Sequence, residues 1–406
     1  MPRSLLERAV VALLALAALA PVSRAQDTIS FKSAKLDEQR AIYVATPAGY
    51  RAGTTRYPVL VLLDANDAPQ FAAALANVSF LTNRGALPGL IVVGIPNGKD
   101  RTHDLTPPAT GAGMKLFATA GGAARFADFI TDEVLPMVRA KYRALPTTVL
   151  AGHSFGGLFA LHIAATRPGA FTGIVAMSPS LWWNDSTVVP AYAEGIARAS
   201  APARIFATSG GLEPPIDVTT KRFASRLDSV KPSTLAFAYR YYPDDTHGLT
   251  PAPSLMDGLR FVFEPVTLTR SPMMTLLPGT DSATVVTAVV ATEERYARGA
   301  RSLGLPDRLP ESVMNSFGYT VLRGLGMPGV AAWIFARNAS NYPDSPNVHD
   351  SWGDALLAKG DTAAARSQFR QARDVAVRVG QPVAEETRQK LEALDHATQA
   401  GQPKRP

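Results

Sequence analysis

The hexapeptide Gly152–Gly157 can supply a serine nucleophile, Ser154. An apolar run, Val149–Ala151, precedes it, and an apolar helical pattern, Leu158–Ala164, follows it. This context predicts a sharp strand-to-helix turn that strains the serine backbone and lifts its Oγ above the sheet edge. Glycines flank the serine because a Cβ would clash in such a turn, and the helix amino terminus favours developing negative charge. The alternative is a purely structural glycine turn.

A serine hydroxyl needs a neighbouring base to become a nucleophile, and His247 is the predicted one. In proteins with this turn the chain order is serine, acid, histidine, so the base must follow Ser154. His247 lies in a loop after the last predicted strand, where a base can reach the serine, although an exposed loop histidine is the alternative. The other downstream histidines fall in a helix or near the C-terminus: His162, His349 and His396.

The acid that orients His247 is predicted to be Glu213. It follows the apolar run Ile205–Thr208 through a glycine-containing loop, which places it at the same sheet edge as the histidine. Such an acid accepts the imidazole Nδ1–H and fixes the tautomer. The rival carboxylates are Asp217, Asp244 and Asp245.

Acyl transfer also needs two backbone N–H groups that stabilise an oxyanion. One is expected from Phe155, the residue after the nucleophile. The other is expected in the loop after the strand that ends at Leu63, at Ala65 or Asn66, and Ala65 is preferred.

The elements that must hold these groups alternate between strands and helices over residues 26–265. Short apolar runs without polar alternation are typical of strands buried on both faces, as in a parallel sheet. Helical patterns between them include Ala123–Lys141 and Leu158–Thr166. The fold class is therefore predicted as α/β, with helices on both faces of a mostly parallel sheet. The predicted strands are 57–63, 90–95, 147–151, 173–177, 203–208 and 236–242.

The region after the sheet changes character. Residues 266–280 contain prolines and are predicted to be a linker or connecting arm, and 281–406 are almost entirely helical in pattern. Five positions recur at a spacing of 34 residues, as in a tetratricopeptide-like all-α domain. Two copies are too few for a free-standing solenoid, so the block is expected to pack on the first domain or to bind a protein partner or a second copy. The recurring pairs are Leu322/Leu356, Gly326/Gly360, Ala331/Ala365, Phe335/Phe369 and Asn338/Ala372.

Composition narrows the function further. The 406 residues include no cysteine, which excludes disulfides, thiolate nucleophiles and cysteine-ligated metals. The net charge of +7 is scattered, so no nucleic-acid partner is expected. No metal cluster, phosphate loop or dinucleotide motif is found in the sequence, so no cofactor is predicted. Residues 1–25 have a basic start, a short apolar stretch and Ala25 before the expected cleavage, which predicts a signal peptide and a secreted or periplasmic protein without a membrane span.

At the serine turn, the His247 loop and several further stretches, the chain resembles the esterase D-like branch of the α/β-hydrolases. This branch includes siderophore (enterobactin-type) trilactone esterases. The stretches Arg101–Pro107 and Ser178–Trp183 are more diagnostic than the serine turn, which all α/β-hydrolases share. The resemblance places the family's nucleophile on Ser154, its histidine on His247 and its oxyanion loop on Asp64-Ala65. Some of these esterases carry a C-terminal tetratricopeptide-like extension. The other resembling stretches are 62–65, 93–97, 152–157 and 245–247.

Three further side chains are candidates for substrate binding. Arg101 can bind a substrate carboxylate or catechol oxygen, or can form a structural salt bridge. Trp182 and Trp183 can form an aromatic wall or can be core residues. The sequence thus predicts an exported serine esterase of a small-molecule ester, with a siderophore lactone as the candidate substrate. The alternatives are a short-acyl carboxylesterase or thioesterase, and a non-catalytic scaffold that binds a partner through its repeats.

Overall fold

A computed structural model describes residues 26–50, 55–110, 112–199 and 203–400. The predicted signal peptide, 1–25, lies outside these residues. The described chain forms one eight-stranded sheet in the order β1-β2-β4-β3-β5-β6-β7-β8, parallel from β4 to β8. The strands are β1 (Gln26–Ser33), β2 (Glu38–Ala45), β3 (Tyr57–Leu63), β4 (Ile91–Ile95), β5 (Ala144–His153), β6 (Gly173–Met177), β7 (Arg204–Gly210) and β8 (Ala236–Tyr242).

The six predicted strands are all present, and β1 and β2 are two that the prediction missed. They form an antiparallel hairpin at one end of the sheet, with Asp37 in its turn at a φ of 54°. β2 pairs antiparallel with β4 and so joins the hairpin to the parallel strands. β1 is exposed or partly buried up to its last residue, and β2 alternates mainly between buried and partly buried positions, unlike the buried apolar runs of the central strands. A search for two-residue periodicity is the test that detects such strands.

Helices cover both faces of the sheet, as predicted. The predicted helix over 123–141 is divided by a π-helical turn, Phe129–Val134. Pro136 follows that turn and has no amide hydrogen to donate to the carbonyl four residues earlier, which is a physical reason for the widened turn. The helices up to residue 265 are α1 (Ala68–Asn83), α2 (Arg101–Leu105), α3 (Ala123–Asp128), α4 (Leu135–Lys141), α5 (Phe155–Thr166), α6 (Val188–Ala197), α7 (Pro214–Val230) and α8 (Pro251–Val262).

The described region from residue 281 is helical, as predicted. Before it, the segment 266–280 is a packed arm: the Leu268 amide donates to the Gly85 carbonyl at 2.7 Å, and Ser271 and Met273 are buried. The helices that follow are α9 (Ser282–Ser302), α10 (Glu311–Tyr319), α11 (Pro328–Asn341), α12 (Pro346–Ala358), α13 (Thr362–Arg378) and α14 (Glu385–Ala400).

Two consecutive helix pairs, α10–α11 and α12–α13, share a packing detail. A Cβ on Gly318 would lie 2.3 Å from the Phe335 ring, and one on Gly353 would lie 2.4 Å from the Phe369 ring. In each pair a glycine therefore admits a phenylalanine that is fully buried. Gly326 and Gly360, which join the helices within each pair, both have a positive φ. The two pairs are alike in geometry, and their assignment to the tetratricopeptide class remains a prediction.

The core has two parts, one on each face of the sheet. One lies under α3 to α7. The other lies under α1 and α8 and continues without a break into the helices beyond the arm, including Val289 and Phe335. Thr147, in the first half of β5, donates its hydroxyl to the Leu303 carbonyl at the end of α9, at 2.9 Å. The helical block therefore packs against the face of the sheet opposite α5. No helix in the described ranges is both long and apolar enough to cross a bilayer.

Candidate active site

Ser154 stands at a strained turn between β5 and α5. Its φ of 61° and ψ of −117° are unusual for a residue other than glycine, which costs about 1–3 kcal/mol. A Cβ on Gly152 would lie 2.4 Å from the Gly156 backbone, so only glycine fits at position 152. The Ser154 amide donates to the Met177 carbonyl of the neighbouring β6 at 3.0 Å. The surrounding structure therefore fixes the turn that the sequence predicts.

Two backbone amides beside Ser154 are candidates for the oxyanion hole. Phe155 is the first residue of α5, where amides have no partner within the helix. The Ala65 amide donates to the Ile95 carbonyl at 3.1 Å, so it is already engaged in joining the β3 and β4 loops. This bond corrects the preference for Ala65. Asn66, the alternative donor, is exposed, and its side-chain oxygen accepts from the Asn97 amide at 2.9 Å.

Glu213 and His247 meet at the carboxyl edge of the sheet. The Glu213 Oε2 lies 2.5 Å from His247 Nδ1, and the glutamate is only 5% exposed. Glu213 comes from the loop between β7 and α7, and His247 from the loop between β8 and α8. The rival Asp217 instead binds Ser209 and Lys221. Glu213 is thus the carboxylate in contact with the imidazole.

A set of buried donors surrounds the other oxygen of Glu213. Its Oε1 accepts from the Ser178 hydroxyl at 2.6 Å and from the Gly210 amide at 2.5 Å. Burial alone would raise the pKa of Glu213, but the hydrogen bonds from His247, Ser178 and Gly210 outweigh it and hold the pKa below its ordinary value. Glu213 therefore stays ionised beside the imidazole.

Ser178 and Thr250 extend this set and were not identified from the sequence. Ser178 is fully buried at a φ of 43°, and its Oγ lies 2.8 Å from the Thr250 hydroxyl. Thr250 donates to the His247 carbonyl at 3.1 Å, so the hydroxyls connect the acid to the backbone of the base. Ser178 begins the resembling stretch Ser178–Trp183 and directly follows β6, but nothing in the sequence indicated a bond to the acid.

The Ser154 hydroxyl points toward a second serine. Its Oγ lies 3.3 Å from Ser180 Oγ, and the Ser180 amide donates to the Ser154 carbonyl at 3.1 Å. In the described part of the chain, no hydrogen bond joins Ser154 Oγ to His247. Such bonds are often long or absent before substrate binds, so this geometry is compatible with a catalytic pair.

His153 lies beneath the His247 imidazole. The two ring centroids are 4.2 Å apart, with an angle of 36° between the planes. Burial, together with the neighbouring His247, lowers the pKa of His153 to about 4. A neutral His153 ring therefore packs against the imidazole of His247 near neutral pH.

Arg101 is held in an ion pair. Its guanidinium donates to both carboxylate oxygens of Asp64, at 2.6 and 2.9 Å, and lies 5.5 Å from the centre of the Phe155 ring. A third contact reaches the His153 carbonyl at 3.4 Å. Bidentate pairing fixes the orientation of a guanidinium, so Arg101 braces the loops on either side of Ser154. The structure favours the salt-bridge alternative over a free substrate-binding cation.

The two tryptophans differ in exposure. Trp183 is fully buried and is a core residue, whereas Trp182 is half-buried. Phe155 and Phe117 complete an aromatic group whose ring centroids are 5.2–6.0 Å apart. Trp182 is thus the tryptophan that can face a ligand beside the nucleophile. Across the described ranges, no group of three or more acidic or histidine side chains is arranged to hold a metal.

Comparisons with known proteins support the fold and the resemblance to esterases. Residues 33–225 match the family model described as putative esterase. The siderophore triacetylfusarinine C esterase of Aspergillus fumigatus is 35% identical over 151 residues, 34% of this chain and 49% of that protein. The ferri-bacillibactin esterase BesA of Bacillus subtilis is 30% identical over 176 residues, 39% of this chain and 60% of that protein.

A solved structure extends the likeness in fold. The crystal structure of an IroE-like serine hydrolase from Shewanella oneidensis has a TM-score of 0.65 at 24% identity, and covers 78% of this chain and 99% of that chain. The chain spans about half the length of the first curated relative that it matches. The predicted resemblance to the esterases and the α/β-hydrolase fold class are confirmed.

Proposed function

We propose that this protein is a serine hydrolase of carboxylic esters. The observation that carries the proposal is the buried Glu213 in contact with His247, at the same sheet edge as the strained Ser154. The contact orients the imidazole and stabilises its protonated form, which a general base requires. An inert scaffold needs no such arrangement of buried polar groups, each of which is costly to desolvate.

The reaction has two halves. Ser154 Oγ attacks the ester carbonyl carbon while His247 takes the hydroxyl proton, and the carbonyl oxygen becomes an oxyanion. We propose that the Phe155 and Asn66 amides hold this oxyanion. When the intermediate collapses, the alcohol departs with the proton from His247, and an acyl group remains on Ser154. Water, deprotonated by His247, then attacks the acyl carbonyl carbon. The acid is released, and Ser154 Oγ takes back the proton from His247. The Ser154 hydroxyl must first turn from Ser180 toward His247.

The substrate class is the finer part of the proposal. The curated relatives are named for siderophore esters, which supports a siderophore-type ester as the substrate. Trp182, half-buried beside Phe155, supports an aromatic wall for such a ligand. Hydrolysis of short acyl esters or thioesters is the second candidate. The aliphatic cavity between α1 and α8 favours it.

Two expectations from the sequence remain parts of the proposal. Export to a periplasm or out of the cell rests on the pattern of residues 1–25. A protein partner or second copy bound through the helical repeats rests on their sequence periodicity. Cell fractionation with an antibody against the chain tests the first, and light scattering of the purified protein tests for self-association.

Hydrolysis of p-nitrophenyl acetate and butyrate by wild type, Ser154→Ala and Ser229→Ala tests the activity. We expect Ser154→Ala to lose about a thousandfold or more in kcat, because the nucleophile is gone. Ser229 is exposed on α7, so Ser229→Ala should match wild type. Equal turnover by Ser154→Ala and wild type would refute the proposal. A parallel assay with ferric siderophore lactones separates the two substrate classes.

A further inference from the structure

A cavity of about 250 Å³ lies between α1 and α8, at the sheet edge that carries Ser154. Both helices begin at this edge, since α1 follows β3 and α8 follows the His247 loop. The Asn77 side chain on α1 donates to the Ala252 carbonyl on α8 at 3.0 Å and ties the two walls together. The cavity is somewhat smaller than the roughly 300–1,000 Å³ of typical ligand pockets, and so it suits a small group.

Its walls begin at the residues next to the proposed catalytic groups. Gly248 and Leu249 line it and directly follow His247, and Asp67 lines it and directly follows Asn66. Its floor includes Met177, whose carbonyl accepts the Ser154 amide at 3.0 Å. The cavity therefore adjoins the loops that carry the proposed base and the proposed oxyanion donor Asn66.

The chemistry of the walls is aliphatic. Leucine, methionine, alanine and proline side chains supply most of the lining, including Leu62, Ala73 and Leu255. Among the described residues that line it, Asp67 is the charged one, and its carboxylate accepts from the Gln70 amide at the start of α1. An anionic catechol would meet this carboxylate and no cation there. The aromatic group of Phe117, Phe155 and Trp182 is separate from this lining.

We propose that this cavity binds a short aliphatic acyl or alkyl group of the ester. The inference rests on the proposed esterase function and specifies its substrate. The side chains of α1 and α8 that line the cavity would then select the length of the ester's aliphatic chain. Esters with a short straight chain, such as hexanoate, should be preferred over acetate, since they bury apolar surface that acetate leaves in water.

Adjacent alanines on α1 provide a matched pair for the test. Ala73 lines the cavity, whereas Ala72 is exposed on the same helix. Ala73→Leu fills the cavity, and Ala72→Leu adds the same side chain outside it. We expect Ala73→Leu to lower the ratio of kcat/KM for p-nitrophenyl hexanoate to that for acetate about tenfold, and Ala72→Leu to leave it within twofold of wild type. Ala252→Leu narrows the cavity from α8 and should act like Ala73→Leu if Ala73→Leu folds poorly.

The outcomes separate the cavity from the activity. If acetate hydrolysis depends on Ser154 but both cavity variants keep the wild-type ratio, the cavity does not select the chain and the inference is overturned. If no ester shows turnover that depends on Ser154, the proposed function fails, and calorimetric titration with hexanoate decides the cavity alone. Binding by wild type that Ala73→Leu weakens at least fivefold supports the inference, while equal or absent binding overturns it.

Discussion

The sheet edge around Ser154 and the helix pairs beyond residue 310 both depend on glycine, but the glycines serve different purposes. At the edge, Gly152 allows a turn that strains Ser154 and exposes its hydroxyl. In the helix pairs, Gly318 and Gly353 allow phenylalanine rings to be buried against the backbone. The strained turn lowers the stability of the fold while it holds polar groups in place, and the packing in the helix pairs raises that stability. Changes at the edge should therefore alter activity, and changes in the helix pairs should alter folding.

The largest expected effect is on the acid. Glu213→Gln keeps the shape but can no longer stabilise a protonated His247, so we expect kcat to fall about a thousandfold to ten-thousandfold with little change in the unfolding midpoint. Ester hydrolysis and thermal unfolding measure the two quantities. Asp217→Asn removes a nearby carboxylate that binds Ser209 and Lys221 instead, and should change kcat only a few fold. Similar losses in both variants would contradict the role of Glu213.

The converse test is in the helix pairs. Gly353→Ala would place a Cβ 2.4 Å from the Phe369 ring, so we expect a loss of about 1–3 kcal/mol in the free energy of unfolding. Gly329 on α11 has no atom near its Cβ position, and Gly329→Ala should be neutral or stabilising by up to about 1 kcal/mol. Urea titration gives both values. A fall in kcat per folded molecule in Gly353→Ala would break the separation between the two regions.

The smallest expected effect concerns the hydroxyl behind the acid. Ser178→Ala removes a hydrogen bond that lowers the pKa of Glu213, so this pKa should rise. Because activity requires ionised Glu213, the loss of activity on acidification should begin at a higher pH. At neutral pH, kcat should fall about tenfold because the carboxylate loses a hydrogen bond that orients it. Ser209→Ala removes a buried hydroxyl on β7 that does not contact Glu213. A pH profile that shifts equally in both variants would argue against a positioning role for Ser178.

Local patterns predicted most of the polar arrangement, because each motif lies at the end of one strand. The turn at Ser154 and the loops of Glu213 and His247 follow apolar runs that are visible in the sequence. Backbone amides carry no side-chain signal, so the sequence offered little basis for preferring Ala65 to Asn66 as the donor. Its bond to Ile95 depends on the pairing of β3 with β4, which only the fold reveals. The buried chain through Ser178 and Thr250 likewise needs two loops distant in sequence to meet.

The secondary structure likewise divides into elements that local sequence predicts and features that depend on tertiary contacts. Central strands are continuous apolar runs and were predicted, whereas the partly buried β1–β2 hairpin was missed. The π-helical turn at Phe129–Val134 did not show in the sequence, where the apolar residues keep a helical spacing from Phe126 to Val138. The arm at 266–280 resembled a linker because of its prolines, and its packing on Gly85 arises from tertiary contacts. Side-chain patterns thus reveal elements, and contacts between elements decide the rest.

The unbroken core across the arm bears on how this chain can be cut for study or for engineering. Gly299 on α9 approaches the Pro265 carbonyl so closely that a Cβ there would overlap it, and Val262 and Phe263 share one apolar cluster with Val285 and Val289. A fragment that stops at residue 265 would present this apolar face to water. Residues 26–265 are therefore a poor module for transplantation, and the arm is an unsuitable place to insert a fusion partner.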